Sequence, residues 1–476
     1  MDRAMNYNAV NDFIKPSPYM AIYHEDKRIT YNDLHSHVCR YANALTERFI
    51  PGDEILISMD DCPEYFYLFW GAVKTGVIPS LLNTLLTEKE AEPFINDKKY
   101  KHIFTNENIV EFDAAARDNT DNPAISATRD THAFNLFSSG TTGYIKSVPH
   151  NHGDMTTVAI NYAKKTLNIT AYDVCFSAAK LSFAYGLGNS MLFPLFNRAA
   201  TVLMSEATTP RNTLDMIEKY RPSIYFGVPT LYVSQLKSLR NNPRDLSSLR
   251  LCVSAGEALP GKIMNEWKSE TGKIILDGIG TTEVLHIFIS NRIEDHEPDC
   301  SGHVVPGYKV KVTDIAGNEV EDGQIGYLKV KGDSIPGGEW IDTGDMFVKQ
   351  GLKYYYRGRS NDMLKISGKW VSPTVIESKI MEHPAVLEVG VVESSDLNGL
   401  LKPKAYVVLN DADQNTINTK HEIKRKCIDE LPANHYPSWI EFVDSLPKTP
   451  TGKIKRHLMR IWEAYSPYEE ETNYDS

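Results

Sequence analysis

A run of small residues just before Lys146 has the composition of a phosphate-binding loop. The run reads Ser138-Ser139-Gly140-Thr141-Thr142-Gly143, and Lys146 follows after two bulky residues. Small residues let a backbone approach a polyphosphate closely, their N–H and hydroxyl groups can donate to its oxygens, and a lysine adds a compact positive charge. The pattern therefore predicts a nucleotide-phosphate site. Surface turns have a similar composition, so the loop alone leaves both interpretations open.

This loop differs from the P-loop of nucleoside triphosphatases. A P-loop needs Gly-x-x-x-x-Gly-Lys-Ser/Thr at the start of a helix, whereas Lys146 lies three residues past Gly143. Val148-Pro149 favours renewed extended structure after the lysine. We therefore expect a strand through Phe134, then the loop, then a second extended segment.

The elements that must position the loop alternate between strands and helices. Glu54 to Met59 reads as a buried strand, Pro63 to Thr75 as a helix, and later strands end near Ala178, Gly256 and Glu283. Such alternation indicates a parallel sheet with crossover helices, and ligands bind such sheets at the carboxyl edge of the strands.

The pattern of predicted secondary structure changes near residues 302 and 360. Short β segments between Gly302 and Gly332 predict a small antiparallel unit, and Ser360 to Asp362 is the most plausible joint between domains. We predict a large α/β N-terminal domain of doubly wound sheets plus the small β unit over residues 1–359. A small, mobile α+β C-terminal domain is predicted over residues 360–476.

Composition excludes several classes of function. The formal net charge of -11 argues against nucleic acid as a partner. The six scattered cysteines lack zinc-site spacing and predict reduced thiols. The N-terminus lacks a basic segment followed by an apolar core, and no apolar run approaches the roughly 20 residues of a membrane span. We expect a cytoplasmic monomer or homodimer with no membrane partner.

Five motifs in order resemble those of the adenylate-forming superfamily of acyl-CoA ligases, over nearly the whole chain. They are the phosphate loop, Asp277 to Glu283, Thr343 to Asp345, Gly358 to Gly368 and Pro447 to Lys453. Within the superfamily, four segments look most like benzoate-CoA and 4-hydroxybenzoate-CoA ligases. These segments are Lys180 to Asn189, Phe226 to Leu231, Leu251 to Pro260 and Gly280 to Phe288.

The resemblance implies a two-step reaction on a small aromatic carboxylic acid. The carboxylate attacks the α-phosphorus of ATP to give an acyl-adenylate and pyrophosphate, and a thiol then attacks the mixed anhydride and expels AMP. The implied cofactors are ATP, Mg²⁺ and CoA, with the phosphopantetheine of an acyl carrier protein as the alternative acceptor.

The same resemblance implies roles for individual residues. The loop from Ser138 to Lys146 would hold the β- and γ-phosphates, Thr282 would donate to the α-phosphate, and Glu283 would hold Mg²⁺. Asp345 would accept the ribose hydroxyls with Arg359 close by, and Lys453 would bridge the carboxylate and the α-phosphate in the first step only. The adenine wall would comprise Gly256, Glu257, Asp277 and Gly278.

A candidate aryl pocket follows from the same segments. Its members are Phe183, Ala184, Tyr185, Phe226, Ile279, Gly280, His286 and Ile287. Core packing is the competing interpretation, because aromatic residues fill cores in any protein. His286 would hydrogen-bond a ring substituent or only pack.

Four departures from the superfamily pattern leave alternatives open. Asn361 replaces an acidic hinge residue, the chain is shortened between Gly332 and Trp340 and near its N-terminus, and Ser147 replaces a glycine. His435 and Ser438 stand where relatives often carry cations, and losing two cations would weaken the grip on the CoA phosphates, which leaves a carrier-protein thiol open as the alternative acceptor. Domain rotation would swap Lys453 for the face from Lys365 to Gly368. A catalytically silent scaffold is the remaining alternative.

Overall fold

The computed structural model describes residues 7–116, 122–139, 145–366, 369–396, 399–411, 414–433, 435–448 and 454–465. Over these ranges the chain forms sheets of nine, five, four, three and two strands. Helices flank the largely parallel sheets, and the antiparallel sheets follow later in the chain. The predicted α/β class is confirmed.

The first layer is a five-stranded sheet in the order β5-β3-β4-β6-β7. Its strands are β3 (Glu54–Ser58), β4 (Ile78–Leu81), β5 (Tyr100–Thr105), β6 (His132–Ser139) and β7 (Ile145–Asn151). The helices of this part of the chain are α1 (Val10–Phe13), α2 (Tyr31–Thr46), α3 (Pro63–Thr75), α4 (Glu88–Ile95) and α5 (Ile109–Ala115). Only β7 runs antiparallel to its neighbour, so β6 and β7 form the two arms of the phosphate loop.

Local sequence explains where these helices begin and end. Thr30 and Asp33 form a capping box at the start of α2, which satisfies backbone N–H groups that the first turn leaves free. Pro63 opens α3, where its missing N–H costs no helical hydrogen bond. Gly76 ends α3 in the left-handed conformation at φ +77°.

The nine-stranded sheet follows the order β14-β13-β12-β11-β10-β8-β9-β1-β2. Its strands are β1 (Met20–His24), β2 (Lys27–Thr30), β8 (Val174–Ser177), β9 (Ala200–Val202), β10 (Ile224–Gly227), β11 (Leu251–Ser254), β12 (Ile275–Gly280), β13 (Ile287–Ser290) and β14 (His303–Val304). The run from β1 through β9, β8, β10 and β11 to β12 is parallel. β1 and β2 form an antiparallel hairpin between Met20 and Thr30.

Six α-helices connect or cover this sheet in the described ranges, and irregular turns adjoin some of them. The helices are α6 (His152–Val158), α7 (Ala184–Leu187), α8 (Phe193–Asn197), α9 (Pro210–Tyr220), α10 (Pro229–Asn241) and α11 (Gly261–Thr271). Two π-helical segments, Ala159–Lys164 and Gly188–Leu192, continue α6 and α7, and a 3-10 turn covers Thr282–Val284. π-helical turns are frequent at functional sites.

The predicted antiparallel unit is a four-stranded meander. It contains β15 (Tyr308–Thr313), β16 (Ile325–Gly332), β17 (Ile341–Gln350) and β18 (Lys353–Arg359), with a 3-10 turn at Pro336–Gly338. The last pair brings Asp345 opposite Arg359 in register.

The C-terminal segment begins with a hairpin of β19 (Leu364–Ile366) and β20 (Lys369–Val371). The helices α12 (Pro373–Met381), α13 (Ile417–Glu430) and α14 (Arg456–Tyr465) surround a sheet of β21 (Val386–Ser395), β22 (Leu401–Leu409) and β23 (Trp439–Phe442). The boundary between residues 359 and 360, and the mobility of this segment, stay predictions.

All six cysteines carry free thiols. Five are buried, and Cys62 is half-buried at the start of α3. Burial raises the pKa of the Cys252 thiol to about 12 and that of Cys300 to about 11. In the described part of the chain no helix is long and apolar enough to cross a membrane.

Candidate active site

The phosphate loop lies between two paired strands. β6 ends at Ser139, β7 begins at Ile145, and Ser138 stands opposite Lys146 in the ladder. The Ser138 hydroxyl is buried and has no hydrogen-bond partner among the described residues. A buried hydroxyl without a partner costs free energy, which a phosphate oxygen would recover. Four predicted members, Gly140, Thr141, Thr142 and Gly143, lie outside the described residues.

The loop lysine reaches the predicted magnesium ligand. Lys146 Nζ lies 2.6 Å from Oε1 of Glu283. Burial raises the pKa of Glu283, but the hydrogen bond and charge of Lys146 together with hydrogen bonds from the Glu283 backbone and Thr281 outweigh it, so the pKa of the carboxyl is lowered overall. Glu283 therefore stays ionised at neutral pH, as a hard oxygen ligand for a divalent cation must be.

A short turn after β12 presents Thr282 and Glu283. The Thr281 hydroxyl accepts from the Val284 backbone N–H at 3.3 Å and so caps the 3-10 turn. Leu285 then turns the chain in the left-handed conformation at φ +74°. The turn therefore separates Glu283 from His286, which faces the aromatic cluster described below.

Glu283 is the carboxylate that the sequence predicts as the metal ligand. No group of three or more His, Cys, Asp or Glu side chains is placed to hold a metal in the described ranges. Mg²⁺ usually takes one or two protein carboxylates and completes its shell with water and substrate phosphates. The single carboxylate beside a phosphate loop fits that pattern.

Asp345 and Arg359 meet across β17 and β18. Arg359 Nε lies 3.2 Å from Oδ1 of Asp345, and Nη1 donates to the Thr343 carbonyl at 2.9 Å. Asp345 is buried, while about half of the Arg359 side chain is exposed. The sequence predicted that Arg359 lies close to Asp345, and the register between β17 and β18 brings the two residues together.

The predicted adenine wall lies at the carboxyl ends of β11 and β12. Ser254 and Asp277 are opposite each other in the ladder, and Gly256 turns the chain just beyond β11 at φ +95°. Burial raises the pKa of Asp277 well above its ordinary value. Asp277 Oδ1 and the Ser254 hydroxyl are both buried and lack a partner among the described residues. Sequence analysis did not single out Ser254; its place one step before Ala255-Gly256 was the available signal.

Three aromatic rings surround His286. The centroid of its ring lies 4.4 Å from Phe193, 5.4 Å from Tyr162 and 5.5 Å from Tyr185. The imidazole is buried, and burial lowers its pKa to about 3. His286 Nε2 lies 3.4 Å from the Tyr185 carbonyl oxygen, whereas Nδ1 has no partner among the described residues. The cluster is therefore neutral at physiological pH.

Tyr185 links this cluster to the edge of the sheet. Its hydroxyl donates to the Gly227 carbonyl at 3.2 Å and the Val253 carbonyl at 3.3 Å. Its ring lies edge-on to Phe226, with centroids 6.3 Å apart. Phe183 and Ala184 begin α7 just before it, so these predicted pocket residues lie in one region.

Glycines set the width of the cluster. A Cβ on Gly188 would lie 2.3 Å from His286 Cδ2, and one on Gly280 would lie 2.6 Å from the His286 carbonyl oxygen. Ile287 pairs with Gly280 across β12 and β13 and, like Phe226, also belongs to the main hydrophobic core. Core packing and a pocket wall are thus compatible roles for these two side chains.

Two ring neighbours of His286 were missed in the sequence. Tyr162 lies within the π-helical segment Ala159–Lys164, and Phe193 begins α8 directly after the π-helical segment Gly188–Leu192. Both rings lie against His286. Asn189 is a third omission, since its carboxamide is fully buried with no hydrogen bond of suitable geometry to the described residues.

The predicted hinge and thioesterification residues are described only in part. Asn361 precedes β19, and Lys365 Nζ lies 5.8 Å from the centroid of the Trp370 ring. Gly368 and Lys453 lie outside the described residues.

Comparison with known proteins places this geometry in a family. Residues 13–338 match the AMP-binding enzyme family, and residues 375–453 match the AMP-binding enzyme C-terminal domain. The benzoate–CoA ligase of Thauera aromatica is 38% identical, with 95% of this chain and 96% of that protein covered. The 4-hydroxybenzoate–CoA/benzoate–CoA ligase of Rhodopseudomonas palustris is 34% identical, with coverages of 96% and 94%.

A solved structure gives the same result for the fold. The anthranilate CoA ligase AuaEII in complex with anthranoyl-AMP superposes with a TM-score of 0.91 at 33% identity. The match covers 97% of this chain and 98% of that one. The resemblance inferred from the five sequence motifs is confirmed, as is the arrangement of a large N-terminal and a small C-terminal part.

Proposed function

The chain belongs to the AMP-binding enzyme family, and from this premise we propose that it is an ATP-dependent, AMP-forming aryl acid–CoA ligase. It would activate a benzoate-like carboxylate as an aryl-adenylate and then transfer the aryl group to the thiol of CoA. The relatives that cover nearly the whole chain act on benzoate, 4-hydroxybenzoate or anthranilate, as their names state.

One observation carries the proposal: a single turn joins the charged and the aromatic parts of the site. Glu283 pairs with Lys146, and His286 lies among aromatic rings. These two residues are only three positions apart on the connection from β12 to β13. A substrate with an aromatic ring and a carboxylate could therefore place its ring at His286 and its carboxylate toward the phosphate-binding residues.

The aromatic cluster supports an aryl acid over a substrate with a second charge. Rings pack well in offset or edge-to-face contacts, which Tyr162, Tyr185 and Phe193 could offer to a flat ring. The neutral imidazole of His286 offers no cation to a second carboxylate. A benzoate with no substituent or with a neutral one suits these surroundings.

In the first step the substrate carboxylate attacks the α-phosphorus, and the bond from that phosphorus to the β-phosphate oxygen breaks. Lys146 and the loop from Ser138 would stabilise the leaving pyrophosphate, and Thr282 would donate to the α-phosphate. Bound Mg²⁺, held by Glu283, would supply further positive charge to the phosphates. Lys453 would bridge the carboxylate and the α-phosphate.

Nucleotide positioning would come from the sheet edges. Asp345 would accept the ribose hydroxyls beside Arg359, and Gly256, Glu257, Asp277 and Gly278 would line the adenine. The raised pKa of Asp277 favours its protonated form, which can both donate to and accept from the base.

In the second step the acceptor sulfur attacks the acyl carbon, the C–O bond to AMP breaks, and the thiol proton is released. We propose that the C-terminal domain rotates about Asn361 between the steps, withdrawing Lys453 and presenting the face from Lys365 to Gly368. CoA is the proposed acceptor, and we place the reaction in the cytoplasm.

Pyrophosphate release from ATP and Mg²⁺ tests this function directly. The panel would contain benzoate, hydroxy- and aminobenzoates, cinnamate and short fatty acids, each with and without CoA. We expect release with aryl acids and an aryl-CoA product when CoA is present. Pyrophosphate release without an aryl-CoA product would favour a carrier protein as the acceptor instead of CoA. Pyrophosphate release with fatty acids alone would contradict the proposal that the substrate is an aryl acid.

A further inference from the structure

The start of helix α14 is tied to the hinge by charged side chains. α14 begins at Arg456, three residues beyond Lys453, so whatever fixes Arg456 also fixes where the lysine-bearing loop ends. The charge of Lys455, the residue before Arg456, acts on the carboxyl of Glu90 on α4, although hydrogen bonds from Thr87 are the main reason that the pKa of Glu90 is lowered.

Arg456 is anchored inside the C-terminal domain. Its Nη2 donates to both Oε1 and Oε2 of Glu377 at 2.7 Å, and Glu377 Oε1 also accepts from the Val391 backbone N–H at 2.7 Å. One guanidinium nitrogen therefore contacts both carboxylate oxygens, and such charge-assisted hydrogen bonds are stronger than neutral ones. Only 14% of the Arg456 side chain is exposed, so water screens this pair little.

Helix α14 also packs closely on β21. A Cβ on Gly390 would lie 2.7 Å from Cε of Met459, so the glycine makes this approach possible. Arg460, one turn after Arg456, pairs through Nε with Glu393 at 2.9 Å. The helix is consequently held against α12 and β21 as one unit.

A second nitrogen of Arg456 lies near the hinge. Its Nη1 lies 3.7 Å from Oδ2 of Asp362, and Arg460 Nη1 lies 3.7 Å from Oδ1 of the same carboxylate. Asp362 directly follows the neutral Asn361, and its backbone N–H donates to the Arg359 carbonyl at 2.9 Å. Arg359 in turn pairs with Asp345. Contacts thus run without a break from the proposed ribose carboxylate through the hinge to the first residue of α14.

We infer that Asp362 and Arg456 are positioning residues that set the orientation of the Lys453 loop relative to the hinge. Asp362 supplies at this hinge the negative charge that Asn361 lacks, and Arg456 transmits the orientation of the hinge to the loop end. The inference rests on the proposed role of Lys453 in adenylate formation. It requires that losing the Asp362 charge impair the step that uses Lys453 and spare the step that does not.

The test measures the two half-reactions separately in the full-length Asp362→Asn variant. Aryl-adenylate formation is followed by pyrophosphate release, and thioester formation is followed from supplied aryl-adenylate and CoA. We expect adenylate formation to fall about tenfold and thioester formation to stay within about twofold of wild type. Arg456→Lys, which also weakens the pair with Glu377, should act in the same direction. The double variant should lose less than the sum of the two single losses, because each substitution already removes the contact between Asp362 and Arg456.

Glu393→Gln is the matched control, since it removes the other partner of Arg460 without touching Asp362. It should leave both half-reactions within about twofold of wild type. An equal fall of both half-reactions in Asp362→Asn, a larger fall in thioester formation, or no change in either would overturn the inference. Lys453→Ala distinguishes a failure of the proposed role of Lys453 from a failure of the positioning inference. If this variant still forms aryl-adenylate, the proposed role of Lys453 is wrong. If Lys453→Ala loses adenylate formation while Asp362→Asn remains at wild-type rates, only the positioning inference fails.

Discussion

Lys146 and Glu283 form an ion pair across the site, with Nζ 2.6 Å from Oε1. The two residues come from different sheets, Lys146 from β7 and Glu283 from the turn after β12. The pair thus links the strand after the phosphate loop to the predicted metal ligand. We expect this ion pair to break when nucleotide and Mg²⁺ bind, because Lys146 would then contact phosphate and Glu283 would contact the metal.

Replacing Glu283 by Gln should impair the use of Mg²⁺. The amide keeps the shape but loses the charge that a hard cation requires, so we expect pyrophosphate release to fall roughly 100-fold and to need more Mg²⁺ for half-maximal rate. A Mg²⁺ titration at saturating ATP measures this. Lys146→Gln is the comparison: it should raise the KM for ATP and leave the Mg²⁺ midpoint in place. Identical Mg²⁺ midpoints in Glu283→Gln and wild type would exclude Glu283 as the ligand.

Lys453→Ala should abolish aryl-adenylate formation while leaving thioester formation from supplied aryl-adenylate largely intact. The physical reason is that its charge would act only while the carboxylate attacks phosphorus. Lys455→Ala is the matched control, because that lysine lies two residues away and its charge acts on the exposed side chain of Glu90. Equal loss of both half-reactions in Lys453→Ala would show that its role is different.

Gly188→Ala should damage the aromatic cluster. A Cβ there would lie 2.3 Å from His286 Cδ2, so the ring or the helix must move, and such overpacking costs about 1–3 kcal/mol of stability. We expect a higher KM for the aryl acid with little change in the KM for ATP. In the His286→Ala background, where the clashing ring is absent, Gly188→Ala should cost much less stability than it costs in the wild type. An equal cost in both backgrounds would mean that the clash lies with another neighbour.

The buried imidazole of His286 should make the protein less stable in acid. Burial lowers its pKa from 6.5 to about 3, so between these values the unfolded chain binds a proton that the folded chain does not. Stability from this group is therefore complete above pH 6.5 and is lost as the pH falls toward 3. Between pH 7 and pH 5 the loss should be about 2 kcal/mol, and His286→Phe should remove that contribution.

Urea unfolding at the two pH values measures this difference. His296→Phe, which changes an exposed histidine, is the control and should keep the wild-type acid dependence. An unchanged pH dependence in His286→Phe would mean that the imidazole is not held neutral by the fold.

Asn361→Asp should change turnover if the hinge limits the rate. The added carboxylate would lie next to Asp362 and compete for Arg456 and Arg460, so the balance between the two domain orientations should shift. Steady-state kcat with a good aryl acid measures it. A kcat equal to that of wild type would show that the residue at position 361 is neutral in this chain.

The sequence predicted those parts of the site that depend on short motifs. The resemblance of two short motifs to those of acyl-CoA ligases implied that Arg359 lies close to Asp345. The pairing of β17 with β18 brings these two residues opposite each other. The strand, loop and lysine around Ser138 were predictable for the same reason, since residue type and spacing are local properties.

The surroundings of His286 could not be predicted in the same way. Tyr162 reaches it from a π-helical turn and Phe193 directly follows another, and the wider π-helical turn shifts these side chains away from regular helical periodicity. Likewise, Arg456 pairs with Glu377 because three elements pack together, and charged residues alone give no sign of their tertiary partners. Long-range packing determines these contacts.

The burial of the cysteines has a practical consequence for assaying the reaction. Thiol-modifying dyes react with thiolates, and the buried, high-pKa thiols of this protein form few of them near neutral pH. Free CoA would then be the dominant dye-reactive species in the reaction mixture. The CoA that remains could be measured by colour in samples withdrawn at intervals, with little background from the enzyme.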